Sequence, residues 1–115
     1  MSRLVLENLT PEAESVVSGY HQSTVSEVKS AVESNKVVVV GMSVNHFVKK
    51  ATKALDDAGI SYKYLEYGGY FSQWKPRLAI KLWSGWPTYP QVFYQGKLVG
   101  GAKETLAAIK AKTIS

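Results

Sequence analysis

The sequence predicts an α/β domain, a four-stranded mixed sheet flanked by helices in the order α-β-α-β-α-β-β-α. Three observations lead there. Val37-Val38-Val39-Val40 is a continuous β-branched run, as expected of a strand buried on both faces. Segments of helical period stand on either side of it. Farther on, Gln91-Val92-Phe93-Tyr94 and Lys97-Leu98-Val99 are joined through Gln95-Gly96, the pattern of a hairpin.

Taken in order, residues 1–22 read as an N-terminal extension and 23–115 as the domain. Within the extension, Thr10-Pro11-Glu12-Ala13-Glu14 is a helix start, with Thr10 as cap and Pro11 in the first turn. Ser23 to Glu27 opens the first domain helix, along which Val25, Val28 and Val32 recur at helical spacing until Asn35-Lys36. After the valine strand, Ser43 to Asn45 opens a second helix. Phe47, Val48, Ala51, Leu55 and Ala58 are expected along one side of it, and Gly59 stops it. Ile60 to Leu65 alternates as a strand. Beyond Gly68-Gly69, Pro76 to Trp83 reads as a helix, with Leu78 and Leu82, and Ala79 and Trp83, paired at four-residue spacing. Trp86-Pro87-Thr88-Tyr89-Pro90 is a proline-punctuated loop before the hairpin, and Ala102 to Lys112 is the closing helix. Two strands linked through a helix should lie parallel by a right-handed crossover, and the hairpin adds two antiparallel strands.

Composition narrows the chemistry. The 115 residues include no cysteine, which excludes disulfides, thiolate nucleophiles and cysteine-ligated zinc or iron–sulfur clusters. His21 and His46 lie far apart and have no metal-site spacing, so no metal is expected. No apolar run reaches the length of a membrane helix, and Met1 to Thr10 has no secretory core, so a cytoplasmic protein is expected. The net charge is +5, yet the lysines are dispersed from Lys29 to Lys112 without a block. That distribution reads as a solvated surface rather than a nucleic-acid face.

The stretch Arg77-Leu78-Ala79-Ile80-Lys81-Leu82-Trp83-Ser84-Gly85-Trp86-Pro87-Thr88-Tyr89-Pro90-Gln91-Val92-Phe93, followed by Leu98-Val99-Gly100-Gly101-Ala102, resembles the glutaredoxin family. The resemblance spans roughly Ser23 to Ala108 and implies a thioredoxin-like fold with Pro90 as a cis-proline. The family's Cys-Pro-Tyr-Cys-Lys-Lys aligns with Asn45-His46-Phe47-Val48-Lys49-Lys50, so Asn45 and Val48 stand where both cysteines should be. Asparagine has no thiol to ionise at a helix start, but it caps a helix well. No thiol–disulfide oxidoreductase activity follows. Cluster carriage by the family's cysteine is likewise not expected.

The resemblance also implies a groove for glutathione. Its features map onto Arg77 for a carboxylate, Thr88, Tyr89 and Pro90 for strand-like pairing, and Gly100 and Gly101 before a helix start. Ala102 and Lys103 retain backbone donors there, but the family's acidic partner for the glutamyl amine is missing. The family's lysine before the first cysteine falls on Met42. Glutathione is therefore expected to bind weakly or not at all, and it is not a required cofactor. Trp83 and Trp86 read as packing aromatics. Glu66-Tyr67-Gly68-Gly69-Tyr70-Phe71-Ser72-Gln73-Trp74 is aromatic enough either to present a recognition surface or to fold over a sheet edge.

The leading expectation is a redox-inactive, non-catalytic module binding glutathione, an extended peptide or a partner protein in the groove. Two alternatives stand beside it. One is a glutathione-dependent enzyme using the ligand's own thiol, with Ser43 as the nearest hydroxyl. The other is a nucleic-acid-binding module relying on charge and the aromatic segment.

Overall fold

The computed structural model describes residues 22–69 and 72–115. The extension and its helix start at Thr10, like Tyr70 and Phe71 of the aromatic segment, lie outside the described residues. The elements are α1 (Gln22–Ser34), β1 (Val37–Gly41), α2 (His46–Asp57), β2 (Lys63–Glu66), α3 (Trp74–Ser84), β3 (Gln91–Tyr94), β4 (Lys97–Gly100) and α4 (Ala102–Lys110). This is the expected order.

The valine run is the centre of the sheet. Strand order is β2-β1-β3-β4, with β1 parallel to β2 and antiparallel to β3, and β4 antiparallel to β3. Residues Val37 to Val40 are all buried, because alternate side chains enter two different cores. Val38 and Val40 join Val28, Val32, Ile80 and Phe93 under α1 and α3. Val37 and Val39 join Leu55, Val92 and Ile114 on the other face. α1 packs beside α3, and α2 beside α4.

Periodicity gave helix spacing correctly but missed the phase in two places. Phe47, expected on the packed side of α2, is 59% exposed, and Ala58 is exposed too; Val48, Ala51 and Leu55 carry the contact. On α3, Arg77, Ala79 and Ile80 face inward, whereas Leu78 and Leu82 point to water. Boundaries also moved: α4 ends at Lys110, two residues short of the expected Lys112. β2 begins at Lys63, three residues after Ile60, where pairing with Val38 starts. α3 begins at Trp74, so Pro76 sits in the first turn, where a missing N–H leaves no helical bond unmade.

The described aromatics divide. Tyr67 is buried, and its hydroxyl donates to the Glu27 carboxylate on α1. Burial pushes the Tyr67 phenol well above the ordinary value of 10.0, and the Glu27 carboxylate pushes it further. Burial raises Tyr89 in the same direction, partly offset by the Arg77 guanidinium. The sign for stability follows from linkage. The unfolded chain releases these protons near 10 while the folded chain retains them, so their stabilising effect is complete below that pH and declines above it. Urea unfolding should show a lower midpoint at about pH 11 than at about pH 8, with a shallower fall in Tyr67→Phe. Equal midpoints at the two values would contradict the buried placement of both phenols.

Candidate functional site

Strand directions bring the singled-out residues to one end of the sheet. The chain leaves β1 at Gly41, and its parallel neighbour β2 ends beside it at Glu66. β3 starts opposite Val40, and β4 finishes opposite Val92. The α2 start, the loop after β2, the Tyr89-Pro90 turn and Gly100-Gly101 therefore share one rim. Backbone bonds tie the first two together: Ser43 N donates to Gly68 O at 2.7 Å, and Tyr67 N to Gly41 O at 2.9 Å.

Asn45 is the N-cap of α2. It is extended (φ −110°, ψ 120°), and its side chain accepts from Val48 N at 3.0 Å. Small side-chain acceptors suit this position because the first N–H groups of a helix lack partners. Val48 itself is buried in the core, as is Met42 at the position of the family's lysine. Val44, just before the cap, is 78% exposed and adopts φ 53°, a conformation that β-branched residues rarely take. His46 is exposed, with its ring edge-on to Phe47 at 5.8 Å.

Arg77 is 7% exposed. Its Nη1 donates to Tyr67 O at 2.9 Å and also to Ser72 O. The Tyr89 hydroxyl in turn donates to Arg77 O. Glu27, Tyr67, Arg77 and Tyr89 thus form a chain of hydrogen bonds linking α1, the loop after β2, α3 and the turn before β3. Arg77 acts here as a loop clamp, and a ligand carboxylate meets only its small remaining exposed area.

The Tyr89–Pro90 bond is cis, as expected from the resemblance. Tyr89 precedes the sheet ladder, which begins at Gln91, and the Lys81 ammonium lies 5.6 Å over its ring. Thr88 is exposed, and Pro90 is buried. Gly100 has φ 132°, and a Cβ there would lie 2.8 Å from Glu104 Cγ. Gly101 lies close to the turn: its Cβ would fall 3.6 Å from Pro90 O and 3.5 Å from Trp86 Nε1. Trp86 Nε1 and Gln91 Oε1 are buried without a hydrogen-bond partner. Trp83 packs on Phe93 with ring centroids 5.8 Å apart.

Glu104 was not singled out from the sequence. Its Oε1 accepts from Gly101 N at 3.0 Å, covering the donor at the α4 start. A glutamate three residues after a helix cap was the available signal. The N–H groups of Ala102 and Lys103 belong to the first turn, where no acceptor exists within the helix. Ala102 is buried and Lys103 exposed.

Among the described residues no group of three or more His, Asp or Glu is placed to hold a metal, and no helix is long and apolar enough to cross a membrane. A β-α-β unit completed by an antiparallel hairpin, with a capped helix start and a cis-proline at one rim, defines the thioredoxin-like class of proteins. No family model matches the sequence. It is, however, 42% identical over 113 residues to a glutaredoxin-like protein of Dictyostelium discoideum, covering 98% of this chain and 92% of that one. This chain belongs to the glutaredoxin family. The crystal structure of oxidized glutaredoxin 2 from Chlamydomonas reinhardtii is similar at TM-score 0.68 and 29% identity, over 79% of this chain and 86% of that one. The fold also matches a buckwheat glutaredoxin–glutathione complex, at TM-score 0.70 and 23% identity, over 79% and 83% of the two chains.

Proposed function

We propose that this protein is a non-catalytic glutaredoxin-fold module whose rim groove holds an extended peptide, glutathione included, without using the ligand's thiol. The observation that carries this reading is the placement of the Tyr89 main chain. It lies two residues before the ladder, next to a cis-proline whose carbonyl is close to Gly101 at the α4 start. A peptide strand can pair there by β-type hydrogen bonds. Thr88 and Pro90 flank the pairing position, and Gly101, without a Cβ, lies against the Pro90 carbonyl. The first-turn N–H groups of Ala102 and Lys103 offer donors to a carboxylate. The solved buckwheat protein of this fold holds glutathione.

Three features weaken the grip on a dianionic ligand. Met42 supplies no charge, Arg77 is engaged with loop carbonyls, and the Glu104 carboxylate sits beside Gly101. The affinity expected is accordingly about millimolar, roughly 4 kcal/mol. Because no protein thiol takes part, reduced glutathione and its S-methyl form should bind equally well in a calorimetric titration. Binding confined to the free thiol would overturn the reading in favour of an activity that uses that thiol.

A further inference from the structure

α3 has apolar side chains on the side that faces water. Trp74, Leu78 and Leu82, spaced at i, i+4 and i+8, are 55%, 39% and 54% exposed. Isolated exposed leucines are ordinary, but three residues on one line make a seam the width of a single helix. Lys75 and Lys81 project on opposite sides of that line, and α3 contains no Asp or Glu.

We propose that residues 10–20 of this chain dock on this seam as an amphipathic helix. The segment is complementary in pattern. Ala13, Val16, Val17 and Tyr20 recur at i, i+3, i+4 and i+7, while Glu12 and Glu14 fall on either side and no Lys or Arg is present. Apolar line meets apolar line, and acidic flanks meet basic flanks.

The connection fits as well. Glu27, midway along α1, reaches the Tyr67 residue whose carbonyl binds Arg77, early in α3. Lys29 and Glu33, later in α1, line a recess with Trp83 and Ser84, late in α3. The two helices therefore run side by side in the same direction, and the chain before Gln22 starts from the Trp74 end. A helix over residues 10–20 covers about 15 Å at 1.5 Å per residue, against about 12 Å from Trp74 to Leu82. The likeness to the Dictyostelium protein covers 98% of the chain, so it includes nearly all of residues 1–21, whereas the two solved glutaredoxins cover 79%.

The absence of cysteine makes the test direct. Ser15→Cys places a unique attachment point on the side of the segment away from Ala13 and Val17. A nitroxide there, in the full-length chain, should selectively broaden the amides of Trp74 to Leu82 and the Trp74 indole. Adding Leu78→Glu, or separately Glu12→Lys with Glu14→Lys, should abolish or weaken the broadening while the β1 and β3 amides stay in place. Uniform broadening, or none on α3, would overturn the proposal. So would broadening that passes from labelled chains to unlabelled ones in a mixture, which would mean that a second copy covers the seam.

Discussion

Removing the Arg77 side chain is expected to destabilise the fold by about 3 kcal/mol. Its guanidinium holds the carbonyls of Tyr67 and Ser72 from a buried position. Arg77→Ala leaves these acceptors without their charged donor, and each such bond contributes about 1.5–3 kcal/mol. Two effects in one small region do not add fully, so the lower part of the summed range is expected. With a urea dependence of about 1.5 kcal/mol/M for a domain this size, the midpoint falls by about 2 M. Arg77→Lys should recover less than half of the loss, because a single ammonium lacks the planar fork. The amides around Gly68 and Gly69 should also exchange faster, because the clamp holds their loop. A midpoint unchanged in Arg77→Ala would instead make Arg77 a surface group available to a ligand.

Asn45→Cys is expected to turn an inert protein into one that accepts a glutathionyl group. The substituted thiol would sit at the α2 N-terminus, where the Val48 N–H now meets Asn45 Oδ1. Unpaired donors and the helix dipole lower a thiol there from about 8.5 by one unit or more. The thiolate attacks one sulfur of oxidised glutathione. That disulfide breaks, a protein–glutathione disulfide forms, and one glutathione leaves as its thiolate. Val48 provides no second thiol, so the adduct persists. Mass spectrometry should show one glutathionyl group on the variant and none on the parent. Losing the cap costs about 1 kcal/mol, so the variant remains folded. An Asn45→Cys variant whose thiol titrates at or above the ordinary value, and stays unmodified, would show that this helix start is not poised for thiol chemistry.

The contrast between these residues shows what the sequence could disclose. Asn45 was legible because capping is local, and the acceptor and its donor lie within one turn. The valine strand was legible because four β-branched residues in a row require burial on both faces. The position of Arg77 depends on Tyr67 and Ser72, whose carbonyls come from a loop with no periodic signal. The Tyr67–Glu27 bond crosses 40 positions and is equally invisible. Leu78 and Leu82 share a helical line, but spacing alone does not say whether that line faces the sheet or water. Glu104 left a local signal that competed with the better-known glycine pair before it.

As proposed above, the groove binds its ligand without a protein thiol. The most direct test of this claim follows backbone amide shifts while full-length protein is titrated with S-methylglutathione. Saturable shifts are expected at Tyr89, Gly101, Ala102 and Lys103, with little change around Lys53 and Asp57 on the far part of α2. An unperturbed groove at ligand concentrations well above millimolar would contradict the claim and leave the fold conserved without its binding function.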